Sequence, residues 1–220
     1  MIASSEPSRL PFRFQTNGHA PPWSRRSHAT QPDLTRYGID YALAELLADV
    51  GILYTELRNV STISDPSIGF AMVLELCRIL QALITFESRN PSNYAMTEAA
   101  RQASALYLFS AAQDYYPVPT LFAAALAHGL KTSITQALDY LQPDDDRSLL
   151  AWTAFIGCVA SDHLPEHQWF VDHLAFLLDD MDIRSAEQLG GLADAVGFSK
   201  LSDFAAAEVW KEAEVHLSDV

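Results

Sequence analysis

The sequence predicts an all-α fold, a compact array of about eight helices behind a flexible N-terminal arm. Three observations predict it. From Tyr37 onward apolar residues recur at helical spacing nearly everywhere. Strand signals are nearly absent, with no sustained alternation and no Asn-Gly hairpin between alternating runs. Six prolines (Pro66, Pro91, Pro117, Pro119, Pro143 and Pro165) punctuate the helical pattern where segments should end or begin.

The arm comes first. Residues 1–36 hold five of the eleven prolines and much serine, histidine and arginine, with no helical or strand period. Such a segment buries too little apolar surface to order itself. Helices are then expected over about 39–60, 67–88, 93–113, 119–141, 147–161, 165–180, 185–196 and 201–217. Asp65-Pro66 offers an N-cap followed by proline at the first helical position. Asp144, Asp145 and Asp146 lie ahead of the fifth helix, where carboxylates meet the positive end of the helix dipole. Ser185 with Gln188 makes a capping box for the seventh.

The expected core faces are broad. Leu76, Ile79, Leu80, Leu83 and Ile84 share one spacing, as do Leu149, Trp152, Phe155, Ile156 and Val159, and again Phe170, Leu174, Leu177 and Leu178. Alanine at Ala99, Ala100, Ala103 and Ala123 to Ala127 lets helices approach closely. No strict heptad persists along the chain, which favours a compact array over a long coiled coil.

Length and charge narrow the function. At 220 residues the chain suits one domain with an appendage. Cys77 and Cys158 both sit in apolar helical patterns and are expected as buried free thiols of a reducing compartment; two cysteines build neither a disulfide framework nor a cysteine zinc site. There is no run of about 20 apolar residues to cross a bilayer, and the polar start at Met1–Leu10 is no secretory signal. An intracellular protein is expected, so the sequon at Asn59-Val60-Ser61 reads as chance. Net charge is −14, yet residues 1–36 carry five arginines against Glu6 and Asp33, leaving −17 on residues 37–220. A body that acidic repels phosphate backbones, so direct nucleic-acid binding is not expected.

The search for reactive chemistry finds no catalytic, cofactor-binding or metal constellation. His163 and His167 with Glu166 evoke a metalloprotease helix, but Pro165 interrupts the continuous helix such a pair needs. There is no nucleophile elbow, no histidine beside either cysteine and no phosphate-cradling glycine loop, since Gly190-Gly191 stands alone. The acid runs at Asp144–Asp146 and Asp179–Asp182 lack the alternating spacing of a calcium loop. Tyr107, Phe109, Tyr115 and Tyr116 admit two readings, an effector pocket or aromatic core. No enzyme is expected, and no cofactor.

One stretch speaks to lineage. Leu149-Leu150-Ala151-Trp152 leads to Phe155-Ile156-Gly157; Pro165-Glu166-His167-Gln168-Trp169-Phe170 follows, then Asp182-Ile183-Arg184-Ser185. In order and spacing these words resemble the regulatory domain of fungal transcription factors, the helical partner of binuclear zinc-cluster DNA-binding domains. The likeness continues more weakly upstream through Leu106-Tyr107-Leu108 and the Pro117–Leu141 segment, and closes at Val209-Trp210-Lys211-Glu212. Ala186 and Gly197-Phe198 depart from it, standing where relatives carry tryptophan and a more apolar aromatic segment. The six-cysteine zinc cluster and its basic helix are absent from this chain.

The resemblance implies a nuclear regulatory domain over residues 37–220 that controls transcription without DNA contacts of its own. Its implied partners are protein co-regulators or further copies of itself, with a small-molecule effector as the signal. The competing expectation is a stand-alone helical small-molecule binder, or an unrecognised enzyme, of secondary metabolism.

Overall fold

The computed structural model describes residues 34–59, 66–88, 94–112, 120–140, 147–196 and 203–217. Among the described residues the fold is all-α, with eight α-helices and no strand. They are α1 (Tyr41–Asn59), α2 (Pro66–Thr85), α3 (Tyr94–Ala112), α4 (Thr120–Tyr140), α5 (Ser148–Ala160), α6 (His167–Asp180), α7 (Ala186–Ala195) and α8 (Asp203–Leu217). A 3-10 turn at Leu34–Tyr37, with Leu34 and Tyr37 buried, reaches back across the boundary expected at residue 37. The remainder of the arm, Asp65, the Asp144–Asp146 cluster, Tyr115, Tyr116 and Gly197-Phe198 lie outside the described residues.

Within the described residues two helices start two residues later than the sequence expectation, each for a local reason. α1 begins at Tyr41 because the Asp40 carboxylate accepts from the Ala42 N–H at 2.9 Å, the work of an N-cap. α6 begins at His167 because Ser161–Glu166 first folds into turns, with Leu164 N–H on the Ser161 carbonyl and His167 N–H on that of Leu164. α2 starts at Pro66 as proline's fixed φ favours, and stops three residues early. There Arg101 of α3 donates to the Leu83 carbonyl at 2.7 Å while its charge is held by the buried Glu98. That bond satisfies one of the orphan carbonyls at the end of α2 and ties α2 to α3.

α5 is the centre. Ten consecutive residues, Leu149–Cys158, are buried. A helix apolar on every side is stable only when surrounded, and α5 packs against α3, α4, α6, α7 and α8. An aromatic column joins it to the outer helices. Tyr54 of α1 stacks on Tyr107 of α3 with ring centroids 3.7 Å apart, and Tyr107 meets Trp152 of α5 edge-on at 5.9 Å. Small residues bring α3 and α4 together: Ala99, Ala100, Ala103 and Ala127 are fully buried, and a Cβ on Gly129 would sit 2.9 Å from Gln102 Nε2. Ala125 is exposed, so the alanine run serves this packing at one face only.

α2 overturns two expectations. Met72, Leu76, Ile79 and Leu83 form its buried face, but Ile84 is exposed because one step along a helix turns it about 100° from Leu83. Cys77 is likewise exposed, whereas Cys158 is buried as expected.

Candidate functional site

Three of the words singled out in the sequence meet at a joint between α5, α6 and α8, and the fourth caps the far end of α6. The tightest point of the joint is Gly157. A Cβ there would overlap ring carbons Cδ1 and Cε1 of Phe170 and come within 2.8 Å of Cγ. The Phe170 ring therefore lies flush on the α5 backbone, and the glycine and phenylalanine of two separate words are a single contact. Phe170 is fully buried, while Trp169 beside it is partly buried, stacked on His173 at 3.8 Å with Lys131 Nζ 5.3 Å above its ring.

Asp182-Ile183-Arg184-Ser185 is a helix stop and a helix start in four residues. Asp182 adopts a left-handed φ of 55°, a conformation that glycine takes freely and aspartate tolerates. Asp182 N–H bonds the Asp179 carbonyl at 3.1 Å and Ile183 N–H that of Leu178 at 2.9 Å, the paired bonds of a Schellman motif. Ile183 is buried. Arg184 clamps Asp179 at 2.7 Å and Asp182 at 3.0 Å, and those two carboxylates raise the pKa of its guanidinium. Ser185 Oγ then accepts from Gln188 N–H at 3.2 Å, while Gln188 Oε1 takes the Arg184 N–H at 2.7 Å. The capping box thus forms with its return bond displaced by one residue.

The closing word reaches the same joint. His167 Nε2 lies 2.6 Å from Glu212 Oε2 of α8, and its Nδ1 lies 3.2 Å from the Cys158 carbonyl of α5. Both ring nitrogens face acceptors, so His167 pins α8 to α5 through α6. Burial pushes the Cys158 thiol well above its usual range, and the nearby Glu212 carboxylate pushes it the same way. Cys158 thereby stays protonated within the core.

Beside the joint, Leu138 of α4, Arg147 ahead of α5, and Asp172, His173 and Phe176 of α6 line an open groove of about 420 Å³. Phe176 is 61% exposed. Arg147 Nε is held by Asp180 at 2.8 Å. His173 Nδ1 is 2.8 Å from the Trp169 carbonyl, so it donates its hydrogen there. Asp172 accepts from Gln168 at 2.9 Å and faces His216 of α8 at 3.5 Å. The groove suits a small, mainly apolar molecule with one or two polar handles.

Two of the four aromatic candidates are described, and they sit away from the groove. Tyr107 is fully buried in the aromatic column, and Phe109 meets Phe122 of α4 edge-on at 5.1 Å. Neither lines the groove; Tyr115 and Tyr116 lie outside the described residues. The histidines and acids near the start of α6 diverge: His163 pairs with Asp162, Glu166 with His128, and His167 with Glu212. Among the described residues no group of three or more metal-ligating side chains converges. No described helix is long and apolar enough to cross a membrane. Comparison with protein-family models, with curated proteins and with solved structures returns no match.

Proposed function

We propose that this chain is the regulatory domain of a fungal transcription regulator, acting in the nucleus through an effector or protein partners and making no DNA contacts of its own. One observation carries the reading: three of the quoted words, spread over residues 157–212, meet near the start of α6. Gly157 of α5 receives Phe170 of α6, and His167 of α6 meets Glu212 of α8. The residues on which the resemblance rests are packing residues, and here they pack on one another. Charge supports the second half of the proposal, because −17 over residues 37–220 opposes approach to a phosphate backbone. The test is to fuse the chain to an unrelated DNA-binding domain and read a reporter under that domain's operator. A change in output that is lost with Gly157→Val is expected; an output indistinguishable from the bare DNA-binding domain contradicts the reading.

A stand-alone small-molecule binder is the second reading, and the groove favours it. Phe176 and Leu138 supply apolar surface, with Arg147, Asp172 and His173 as polar handles. A thermal-shift screen with Phe176→Ala as control separates the two. A ligand that stabilises the native chain but not the variant, with no reporter effect from the fusion, favours this reading.

A further inference from the structure

α2 carries two apolar stripes, and the chain covers only one among the described residues. Met72, Leu76, Ile79 and Leu83 are buried, and α2 packs on α1 and α3. Phe70, Leu74, Cys77, Gln81 and Ile84 follow one another at steps of four, three, four and three residues, and all five are exposed. At about 3.6 residues per turn the second stripe runs nearly opposite the first. Its spacing is the a/d alternation of a helix–helix seam, sustained for four turns, with Leu74 and Gln81 at a and Phe70, Cys77 and Ile84 at d. Phe70 is 67% exposed, Leu74 41% and Ile84 47%.

We infer that this stripe is a self-association seam, which packs in parallel register against α2 of a second copy of the chain. Three features select a second copy over other occupants. First, charge: a body of net −14 repels its own kind, yet α2 contains only Glu75 and Arg78 as charged residues. Those two neutralise each other, with Arg78 Nη2 2.6 Å from Glu75 and 3.5 Å from Asp49 of α1. With Asp49 beside them this face carries about one net negative charge, far less than the body as a whole, so like-charge repulsion between two copies is weakest here. Second, polarity: Gln81 is the one amide in the stripe. In parallel register it meets the partner's Gln81, so donor and acceptor are satisfied together, as a buried amide at an a position sets register in coiled coils. Third, shape: a two-fold contact uses the same patch twice, and every layer of this stripe can face its own copy.

The seam is short. Four turns on one helix fall below the roughly 800 Å² per partner of a standard interface, so the dimer is weak and dependent on concentration. It stands independently of the groove and of the transcriptional reading.

The experiment is sedimentation of the full chain over a wide concentration range. The weight-average mass rises from 24.3 kDa toward twice that value. Leu74→Glu abolishes the rise with its melting temperature unchanged, because Leu74 touches water already. Gln81→Leu strengthens it, a gain that misfolding cannot imitate. A short bismaleimide links Cys77 to the partner's Cys77, and in a Cys77→Ser background the Ile84→Cys variant also crosslinks to itself. A chain that stays monomeric throughout, or a dimer indifferent to Leu74→Glu, overturns the seam. So does a monomer with Cys77 shielded by another segment such as residues 1–33. A dimer that crosslinks through Cys77 but not through the Ile84→Cys variant overturns the parallel register.

Discussion

α5 and α2 are both strongly apolar, and they end in opposite situations. α5 is enclosed by five helices, so that ten residues in succession lose contact with water. α2 packs on α1 and α3, and Phe70, Leu74 and Ile84 on its other side are exposed. Hydrophobic content alone does not fix the role of a helix. What separates them is neighbour supply: α5 has Gly157, which lets Phe170 close on its backbone, whereas a Cβ built on Gly69 of α2 would meet nothing within 4 Å. The joint around α5 holds the fold together, and the outer face of α2 is left for something else.

Matched phenylalanines give the largest contrast. Phe170→Ala should cost about 3–5 kcal/mol in denaturant unfolding, the range for deleting a fully buried aromatic. Phe70→Ala should cost no more than about 0.5 kcal/mol under dilute conditions, as at an ordinary surface site. Similar losses at both positions would erase the distinction. The alkaline limb of stability comes next. The Cys158 thiol has a folded pKa above its unfolded value near 8.5, so its contribution is full below about pH 8.5 and declines as pH rises toward the folded pKa. Stability should therefore fall as pH climbs above that range, and Cys158→Ala should remove that slope. A slope that survives the substitution would assign it to another group.

Gly157→Ala should cost about 1–3 kcal/mol by overpacking against Phe170. Combined with Phe170→Ala it should cost clearly less than the sum, since the smaller residue vacates the space that the methyl enters. Strict additivity would mean that the two residues do not share a contact. The smallest effect is local. Ser185→Ala should cost about 1 kcal/mol through loss of the bond to Gln188 N–H, with the far end of the molecule unaffected. A hydrogen-exchange change confined to α7 is expected; no change there would mean that Ser185 does not cap the helix.

Much of this fold was legible along the chain because its signals are local. Ser185 with Gln188 and Pro66 at a first turn act within a few residues of themselves, and all eight helices lie close to their expected spans. The starts of α1 and α6 moved by two residues each, since Asp40 caps one and a turn centred on Pro165 delays the other. The α5–α6 words were legible as core, but not the reason for the glycine, which depends on a ring thirteen residues away in a different helix. The groove was illegible for the same cause: Leu138, Arg147 and Phe176 come from separate segments and form no pattern in sequence. The face of α2 was misjudged because both of its stripes are apolar, and only the placement of α1 and α3 decides which one is covered. Cys77 was expected inside on that account and lies outside.

The two cysteines report on the two regions at once. Native-state labelling with a thiol reagent, followed over increasing denaturant, measures each site in the same sample. Cys77 of dilute protein should react immediately at the rate of an exposed thiol, while Cys158 should react only through global unfolding, with an opening free energy equal to that of the whole domain. Labelling of Cys158 at the rate of Cys77, or protection of both to the same degree, would contradict this.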